Sequence, residues 1–365
     1  MRPLEDFCCQ NNDCSLYGKK GQGNIRQKGW SSKKQQIRTL VCNACGVRFS
    51  ERKGTALYAS RIKTERALDV LKHRQDHCGI RQTARLTGVK IACRWSQENT
   101  PTRSTGSWLL FPPNTQEIQL DEKWSFVQKK EKNRAPEAEP TCGDNWDHVA
   151  FDPEHRLVLK VENGKRSHLH VRTVLDAVNR ILAGRIPRLV TSDEFEAYYS
   201  ELLLSYGVWV QPQRRGTHGG RHPKPHLEPP AELVYATVHK TREHGTVTTV
   251  EPRLQFGTEE QLSAALAASK SSDAVNTSFI ERSNGTDRNQ NKRKTRKTYC
   301  FSKDWEVHNA MTKFTIYSYN FCWPVRTLRI KVSEDVFVQQ TPAMAAGLSD
   351  HIWSIVEWAS YPVPM

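Results

Sequence analysis

The chain has 365 residues, with 54 lysines and arginines against 39 aspartates and glutamates, a net charge of +15. This excess indicates a polyanionic partner, and nucleic acid fits better than a membrane, because no apolar run approaches the roughly 20 residues of a membrane-spanning helix. The first residues, MRPLEDFCCQ, lack the apolar core of a secretory signal, so the ten cysteines are expected to be reduced thiols or metal ligands.

Two cysteine pairs near the N-terminus have the spacing of a zinc site. The expected ligands are Cys9, Cys14, Cys42 and Cys45. Tetrahedral zinc takes paired thiolates from two turns, and residues 1–55 hold too few apolar side chains for a core of their own. The pattern predicts a zinc-ribbon DNA-binding module that depends on Zn²⁺. Four unrelated cysteines are the alternative, and Cys8 could substitute for Cys9.

Residues 56–98 predict a helix-turn-helix-like module. The string GIRQTARLTGV has the shape of a first helix and a turn, with Ala84 packed inside and Gly88 at the bend. The next string, KIACRWSQENTP, is a weak recognition helix because it soon meets Pro101. A generic helical hairpin therefore stays open as an alternative. Residues 99–116 are rich in Pro, Thr and Ser and are expected to be a linker.

Residues 117–330 predict an α/β domain. An alternating strand EIQLDEKWSFVQ is followed by a hairpin, an amphipathic helix over residues 168–183, the strand RLVTSD, the helix EFEAYYSELLLSYG and the strand VWVQP. Three strands, helix, strand, helix, strand is the order of a ribonuclease H-like domain. Residues 212–275 are interpreted as an insertion in this domain, and residues 331–365 as a C-terminal tail.

Three carboxylates of this domain have positions typical of metal ligands. Asp121 lies on the first strand, and Asp193 lies at the carboxyl end of a later strand, where open α/β sheets place ligands. Glu281 heads a basic segment. Three such carboxylates could hold Mg²⁺ or Mn²⁺ for phosphoryl transfer. The competing acids are ranked lower, Glu122 because it is not aligned with Asp121; these acids are Glu122, Asp144, Asp147 and Asp152.

The Glu281 segment is expected to be a helix that faces DNA. The residues on its expected common face are Glu281, Asn284, Arg288, Asn291 and Thr295. Both faces of this helix are polar, so a solvated charged helix is the alternative. The basic residues expected to hold the DNA backbone are Arg282, Arg288, Lys292, Arg293, Arg296 and Lys297.

Together these motifs resemble bacterial insertion-sequence transposases of the Asp-Asp-Glu class, closest to the insertion sequence 1 family. The resemblance rests on LDEKWSFVQKK around Asp121, LVTSDEFEAY around Asp193 and NTSFIERSNGTDRNQNKRKTRKTYCFSK around Glu281. The strings CNACGVRFS and GIRQTARLTGV match the zinc and helix-turn-helix regions of that family. The resemblance covers most of residues 7–330.

The resemblance implies metal-dependent DNA strand cleavage and transfer at transposon ends. It gives the metal-ligand roles to Asp121, Asp193 and Glu281, and a contact with the scissile-strand phosphate to Arg288. It also implies double-stranded DNA as the partner, a homo-oligomer on paired ends, and a location in the bacterial cytoplasm at the nucleoid.

Two departures from the family pattern support alternatives. Residues 94–116 are shorter and less helical than the second DNA-binding helix of the family. Residues 212–275 separate Asp193 from Glu281 further than in compact members. The first rival is a non-catalytic DNA-binding protein derived from a decayed or domesticated transposase. The second is a ribonuclease H-like nuclease that cleaves without strand transfer.

Overall fold

The structure is a computed structural model that describes residues 1–58, 60, 62–76, 78–89, 113–212, 224–244 and 246–363. The chain divides into two compact units. The first comprises Met1–Leu110, Asp287–Met344 and Ser349–Met365, and the second comprises Phe111–Thr286 and Ala345–Leu348. The expected recognition helix and most of the expected linker lie outside the described residues.

The second unit is built on a six-stranded mixed sheet. Its strands are β4 (Glu117–Val127), β5 (Gly143–Asp152), β6 (Leu157–Gly164), β7 (Leu189–Ser192), β10 (Val234–Glu243) and β11 (Thr246–Phe256). Their order across the sheet is β11-β10-β7-β4-β5-β6. Strands β4, β5 and β6 form an antiparallel meander, whereas β7 runs parallel to β4 and β10 runs parallel to β7. A mixed α/β sheet of this kind is compatible with the expected ribonuclease H-like domain.

Three helices of the second unit belong to this α/β arrangement: α3 (His168–Ile181), α4 (Glu196–Tyr206) and α5 (Glu259–Ala267). Helix α3 buries Val171, Val174 and Val178 at the spacing expected of an amphipathic helix. Helix α5 begins with a capping box, in which Thr258 and Gln261 exchange side-chain and backbone hydrogen bonds.

The fifth strand of the sheet comes from the block that was expected to be an insertion. The string VWVQP forms β8 (Val208–Val210), which pairs with β9 (His226–Glu228) in a separate two-stranded sheet. Strand β10 instead lies beside β7, so residues 212–275 contribute two strands to the main sheet. The physical reason is burial, since Val208 and Trp209 are 54% and 68% exposed whereas the first half of β10 is buried.

The first unit contains a three-stranded antiparallel sheet and helices from both ends of the chain. The strands are β1 (Ile25–Ser32), β2 (Ile37–Cys42) and β3 (Arg48–Ser50). Helices α1 (Thr64–Gln75) and α2 (Ile80–Thr87) follow, and α2 ends at Gly88 with φ +65°. Thr83 is the buried residue of α2, whereas Ala84, expected inside, is only partly buried.

The C-terminal residues complete the first unit. Helix α6 (Ser278–Gln290) contains the division between the units, and it is followed by α7 (Trp305–Cys322), the short hairpin β12 (Ile330–Lys331) and β13 (Phe337–Val338), α8 (Pro342–Ala345) and α9 (Ile355–Ser360). The buried ring of Trp358 packs edge-on against Phe314. The N–H of Val363 donates to the carbonyl of Gly54 at 3.0 Å. Residues of the predicted C-terminal tail, 331–365, thus pack against other parts of the first unit.

Across the described part of the chain, no helix is both long enough and apolar enough to cross a lipid bilayer.

Candidate metal centres

Carboxylate oxygens of Asp121, Glu122 and Asp193 lie within 4.8 Å of one another in the second unit. The strand register explains how two of them meet, because Leu120 of β4 lies opposite Ser192 of the parallel strand β7. Asp121 and Asp193 therefore follow at the same level of neighbouring strands. Carboxylates are the ligands that hard divalent cations prefer, so this group could hold a metal ion.

The Asp121 carboxylate is held by two hydrogen bonds. Its Oδ1 accepts from the backbone N–H of Glu122 at 2.9 Å, and its Oδ2 accepts from the Asn284 amide at 2.7 Å. Burial raises the pKa of Asp121, and the negative charges of Asp193 and Glu281 raise it further, against these hydrogen bonds. A cation at this point would relieve the repulsion between the carboxylates.

Asp193 has the same character at the end of β7. Burial raises the pKa of Asp193, although a hydrogen bond from the N–H of Phe195 and the charges of Arg166 and Lys240 oppose the rise. The Phe195 N–H lies 3.4 Å from Asp193 Oδ1. Two neighbouring carboxylates that both resist ionisation are typical of a site that a divalent cation completes.

Glu122 belongs to this group, although the sequence ranked it low. Its side chain is 1% exposed, and its Oε2 accepts from Arg166 Nη2 at 3.1 Å. The hydroxyl of the buried Tyr198 also interacts with the Glu122 carboxylate. Burial and the charge of Asp193 raise the pKa of Glu122 to about 7. Strand alternation places neighbours on opposite faces, which argued against Glu122, but two consecutive acids on a buried strand were themselves a signal.

The structure does not place Glu281 within the 4.8 Å group. Glu281 lies in the first turn of α6, half-exposed, where it forms an ion pair with Lys240 and accepts from Thr277 Oγ1 at 3.0 Å. Its charge nevertheless contributes to the raised pKa of both Asp121 and Asp193. Glu281 is therefore a neighbour of the carboxylate group rather than a member of it.

The sheet anchors the start of α6 near the carboxylates. Gln119 of β4 donates from Nε2 to the carbonyl of Asn276 at 2.8 Å and accepts from the N–H of Ile280 at 2.9 Å. Thr191 of β7 also donates to the carbonyl of Asn276, at 3.2 Å. The side chain of Gln119 is buried, so these bonds fix the N-terminus of α6 on the two strands that carry Asp121 and Asp193.

The polar face predicted for α6 is partly buried. Asn284 is buried and its amide donates to Asp121, and Arg288 is partly buried. The helix ends at Gln290, so Asn291 and Thr295 do not belong to its face. Sequence reasoning also missed Asp287, a buried carboxylate that accepts from Thr315 Oγ1 at 2.9 Å.

The basic residues expected to hold DNA differ in exposure. Arg282 on α6 is exposed, and Lys292, Arg296 and Lys297 are exposed in the turns after the helix. Arg288 and Arg293 are partly buried. Four of the six side chains are therefore open to solvent.

The remaining competing acids have structural partners. Asp147 forms a fully buried ion pair with Lys123 at 3.2 Å. Asp152 accepts from His155 Nδ1 at 2.8 Å, and Asp144 accepts from the N–H of Glu131 at 3.0 Å. None of the three joins a metal-type group within the described residues.

The four cysteines of the predicted zinc site come together in the first unit. The sulfur atoms of Cys9, Cys14, Cys42 and Cys45 lie within 4.8 Å of one another. Cys8 is outside the group and accepts a hydrogen bond from Gln10 Nε2 at 3.3 Å, so the geometry favours Cys9. Four clustered thiols are the donor set of a structural zinc site, and the cluster could hold a metal ion.

In the second cysteine pair, Cys42 is the last residue of β2 and Cys45 lies on the tight turn that follows. Gly46 has φ +72°, and its N–H donates to the carbonyl of Cys42 at 2.8 Å. Burial opposes ionisation of Cys42, but the N–H groups of Cys45 and Ala44 and the amide of Asn24 together lower the pKa of Cys42 to about 7. Donors aimed at one sulfur stabilise the thiolate form that binds metals.

Comparison with known proteins adds little to this geometry. No protein-family model matches the chain, and no curated protein matches it. One similar solved structure is a Mos1 transposase paired-end complex with left transposon end, at 16% sequence identity and a TM-score of 0.16. The similarity covers 40% of this chain and 56% of that chain. A similarity at this level supports no conclusion about function.

Proposed function

We propose that this protein is a transposase that catalyses metal-dependent DNA strand cleavage and transfer at transposon ends. The observation that carries the proposal is the carboxylate group of Asp121, Glu122 and Asp193 on a six-stranded mixed sheet, with Glu281 close by. The finer assignment to the Asp-Asp-Glu class and to a ribonuclease H-like catalytic domain rests on the sequence motifs around these residues.

In this proposal Asp121, Asp193 and Glu281 are the catalytic carboxylates and hold Mg²⁺ or Mn²⁺. The metal, when bound, activates a water or a 3′-hydroxyl and stabilises the leaving oxygen of an in-line phosphoryl displacement. Asn284 fixes the orientation of Asp121 through its 2.7 Å hydrogen bond. Arg166 compensates the negative charge of Glu122 and Asp193 before a metal arrives.

In this proposal DNA is bound by the basic residues of the Glu281 segment and by the N-terminal part of the first unit. Arg282, Lys292, Arg296 and Lys297 are exposed and offer charge to phosphates, while Arg288 and Arg293 take part from partly buried positions. The cysteine group binds Zn²⁺ as a zinc ribbon, and α1 and α2 belong to a helix-turn-helix. Double-stranded DNA, paired ends held by a homo-oligomer and a nucleoid location complete the proposal.

One observation favours a second candidate, a non-catalytic DNA-binding protein derived from a transposase. Glu281 is neutralised by Lys240 and lies outside the 4.8 Å group. A protein that had lost its chemistry would retain the zinc site and the positive charge without a complete set of carboxylates around one metal.

The deciding experiment replaces Asp121 with asparagine. Asp121→Asn should abolish cleavage and strand transfer on DNA that carries both flanks of the gene, with Mg²⁺ or Mn²⁺ present, because it removes a metal ligand. DNA binding should stay near the wild-type level. Asp144→Asn is the matched control, since Asp144 is an acid of the same unit outside the carboxylate group. Undiminished cleavage by Asp121→Asn would contradict the catalytic assignment, and an inactive wild type with intact DNA binding would favour the second candidate.

A further inference from the structure

A single lysine closes a ring of polar groups beside the carboxylates of the second unit. Lys240 lies on β10, the strand next to β7. Its ammonium group forms an ion pair with Glu281 and donates to Thr277 Oγ1 at 3.1 Å. Thr277 Oγ1 donates in turn to Glu281 Oε1 at 3.0 Å. Lys240 and Thr277 thus bind the same carboxylate oxygen.

The lysine is also within electrostatic range of the carboxylate group. The positive charge of Lys240 opposes the rise in the pKa of Asp193, while the negative charge of Glu281 adds to it. Lys240 therefore lies where its charge acts on Glu281 and on Asp193. In a two-metal site, a second divalent cation has the same electrostatic role between two carboxylates.

The Lys240 side chain suits this position because it is partly buried and has a flexible aliphatic chain. It is 23% exposed, and its ammonium is a compact charge on a flexible stem. A divalent ion that binds Glu281 has to displace this ammonium or remain close to it. Both options cost free energy, because like charges a few ångströms apart repel strongly in a partly buried site.

We propose that Lys240 is a built-in cation that occupies the place of a second divalent ion at Glu281. The group of Asp121, Glu122 and Asp193 then binds one divalent ion, and Glu281 becomes a metal ligand only when Lys240 moves away. The inference rests on the proposed function, because it concerns how many metal ions the same site holds. It assigns a positioning role to Lys240, through Glu281, and a ligand role to Glu122.

Metal counting tests the inference without relying on activity. Calorimetric titration of the full chain with MnCl₂ at pH 7.5 should show one ion bound by the wild type at the carboxylate group. Lys240→Gln removes the charge and should reveal a second ion, or tighten a weak second event by about tenfold or more, the order expected for removing a nearby unit charge. Lys240→Arg keeps the charge and should behave like the wild type.

Two further variants make the outcome specific. Lys270→Gln removes another lysine of the same unit that pairs with a carboxylate, Glu154, at 2.8 Å, and should leave one bound ion. Glu281→Gln should also bind one ion, whereas Lys240→Gln combined with Glu281→Gln should lose the second ion again. A second ion that persists in the double variant would overturn the role of Glu281.

The failures of the two proposals are distinguishable. Two ions in the wild type, or unchanged binding in Lys240→Gln, would overturn the role of Lys240 while leaving the carboxylate site in place. One ion that survives in Asp121→Asn would show that the ion binds elsewhere, and it would overturn the ligand assignment on which both proposals depend. One ion that survives in Glu122→Gln would overturn only the ligand role of Glu122. Absence of any bound ion in the wild type would overturn both.

Discussion

The three carboxylates of the group resist ionisation, mainly because they are buried and in addition because nearby carboxylates repel them. Burial raises the pKa of Glu122 to about 7, and it raises those of Asp121 and Asp193 as well. Arg166 and Lys240 compensate only part of this negative charge. Residues that destabilise one another in the absence of ligand are typical of binding sites, where a bound ion offsets the destabilisation.

The raised pKa values predict that the stability of the metal-free protein falls as the pH rises. A carboxylate whose folded pKa is raised keeps its proton where the unfolded chain has lost it, so its contribution is present at low pH and is lost as the pH rises. For Glu122 the window runs from the ordinary value of 4.5 to about 7. The free energy of unfolding should fall across this window by up to about 3 kcal/mol from Glu122 alone.

Urea unfolding of the metal-free protein between pH 5 and pH 8 measures this effect. Glu122→Gln should flatten the pH dependence, because the amide does not titrate. Adding Mn²⁺ at pH 7.5 should restore stability to the wild type, since the ion binds only the folded site. Equal pH dependence in the wild type and in Glu122→Gln would refute the raised pKa.

At the scale of elements, the three-stranded sheet of the first unit depends on its cysteines. Its buried cluster is small: Phe7, Cys9, Cys14, Ile25, Leu40, Cys42 and Phe49. Three of these seven residues are expected zinc ligands. We therefore expect the sheet to need a bound metal, because a core of this size offsets little of the conformational entropy of about fifty residues.

Zinc analysis checks this dependence. The purified wild type should contain one zinc ion per chain, and Cys42→Ser combined with Cys45→Ser should contain none and lose the sheet, observed as protease sensitivity of residues 1–55. Cys8→Ser is the matched control, because Cys8 is buried next to Cys9 but outside the sulfur group. A folded wild type without zinc would refute the ribbon, and zinc loss in Cys8→Ser would exchange the roles of Cys8 and Cys9.

Local patterns predicted most elements of the second unit, but not all of its pairing. The periodicity of residues 168–183 and the alternation from Glu117 indicated α3 and β4 correctly, since both signals arise within one element. The pairing of β7 with β10 was not predicted. Val234 lies opposite Leu189, and such long-range parallel pairing leaves no local signal in the sequence.

The same limit applies to the site. The proximity of Asp121 and Asp193 was predictable, because each follows a residue of one pair on two neighbouring parallel strands, and open α/β sheets place ligands where such strands end. The Lys240–Glu281 pair joins residues from two distant elements, and no spacing in the sequence relates them. The hydrogen bond from Asn284 to Asp121 also joins two distant elements, and a polar helix pattern does not reveal it.

At the scale of the whole molecule, the net charge of +15 predicts DNA binding that weakens steeply with salt. Each phosphate contact adds about 0.9 to the slope of log K against log salt concentration. Lys292→Ala combined with Arg296→Ala should therefore lower the magnitude of the slope by about 2, measured by fluorescence anisotropy on a duplex.

A control variant that removes the same charge elsewhere distinguishes direct phosphate contacts from the effect of net charge on DNA binding. Lys129→Ala combined with Lys132→Ala removes the same charge from exposed positions of the second unit. This control should leave the slope close to the wild-type value. Equal slopes for the two double variants would show that Lys292 and Arg296 make no phosphate contact.

The backbone hydrogen bond between Val363 and Gly54 has a consequence for biosynthesis. A side chain at Gly54 would collide with the Val363 carbonyl at 2.2 Å, so the two segments meet without intervening atoms. The first unit thus joins Met1–Leu110 to Asp287–Met344 and Ser349–Met365, segments that are synthesised after most or all of the second unit. At roughly 5–20 residues per second, the nascent N-terminal segment waits several seconds for its C-terminal partners after Phe111–Thr286 is complete. The Phe111–Thr286 part of the carboxylate-bearing unit can therefore fold on the ribosome before the cysteine-bearing unit is assembled.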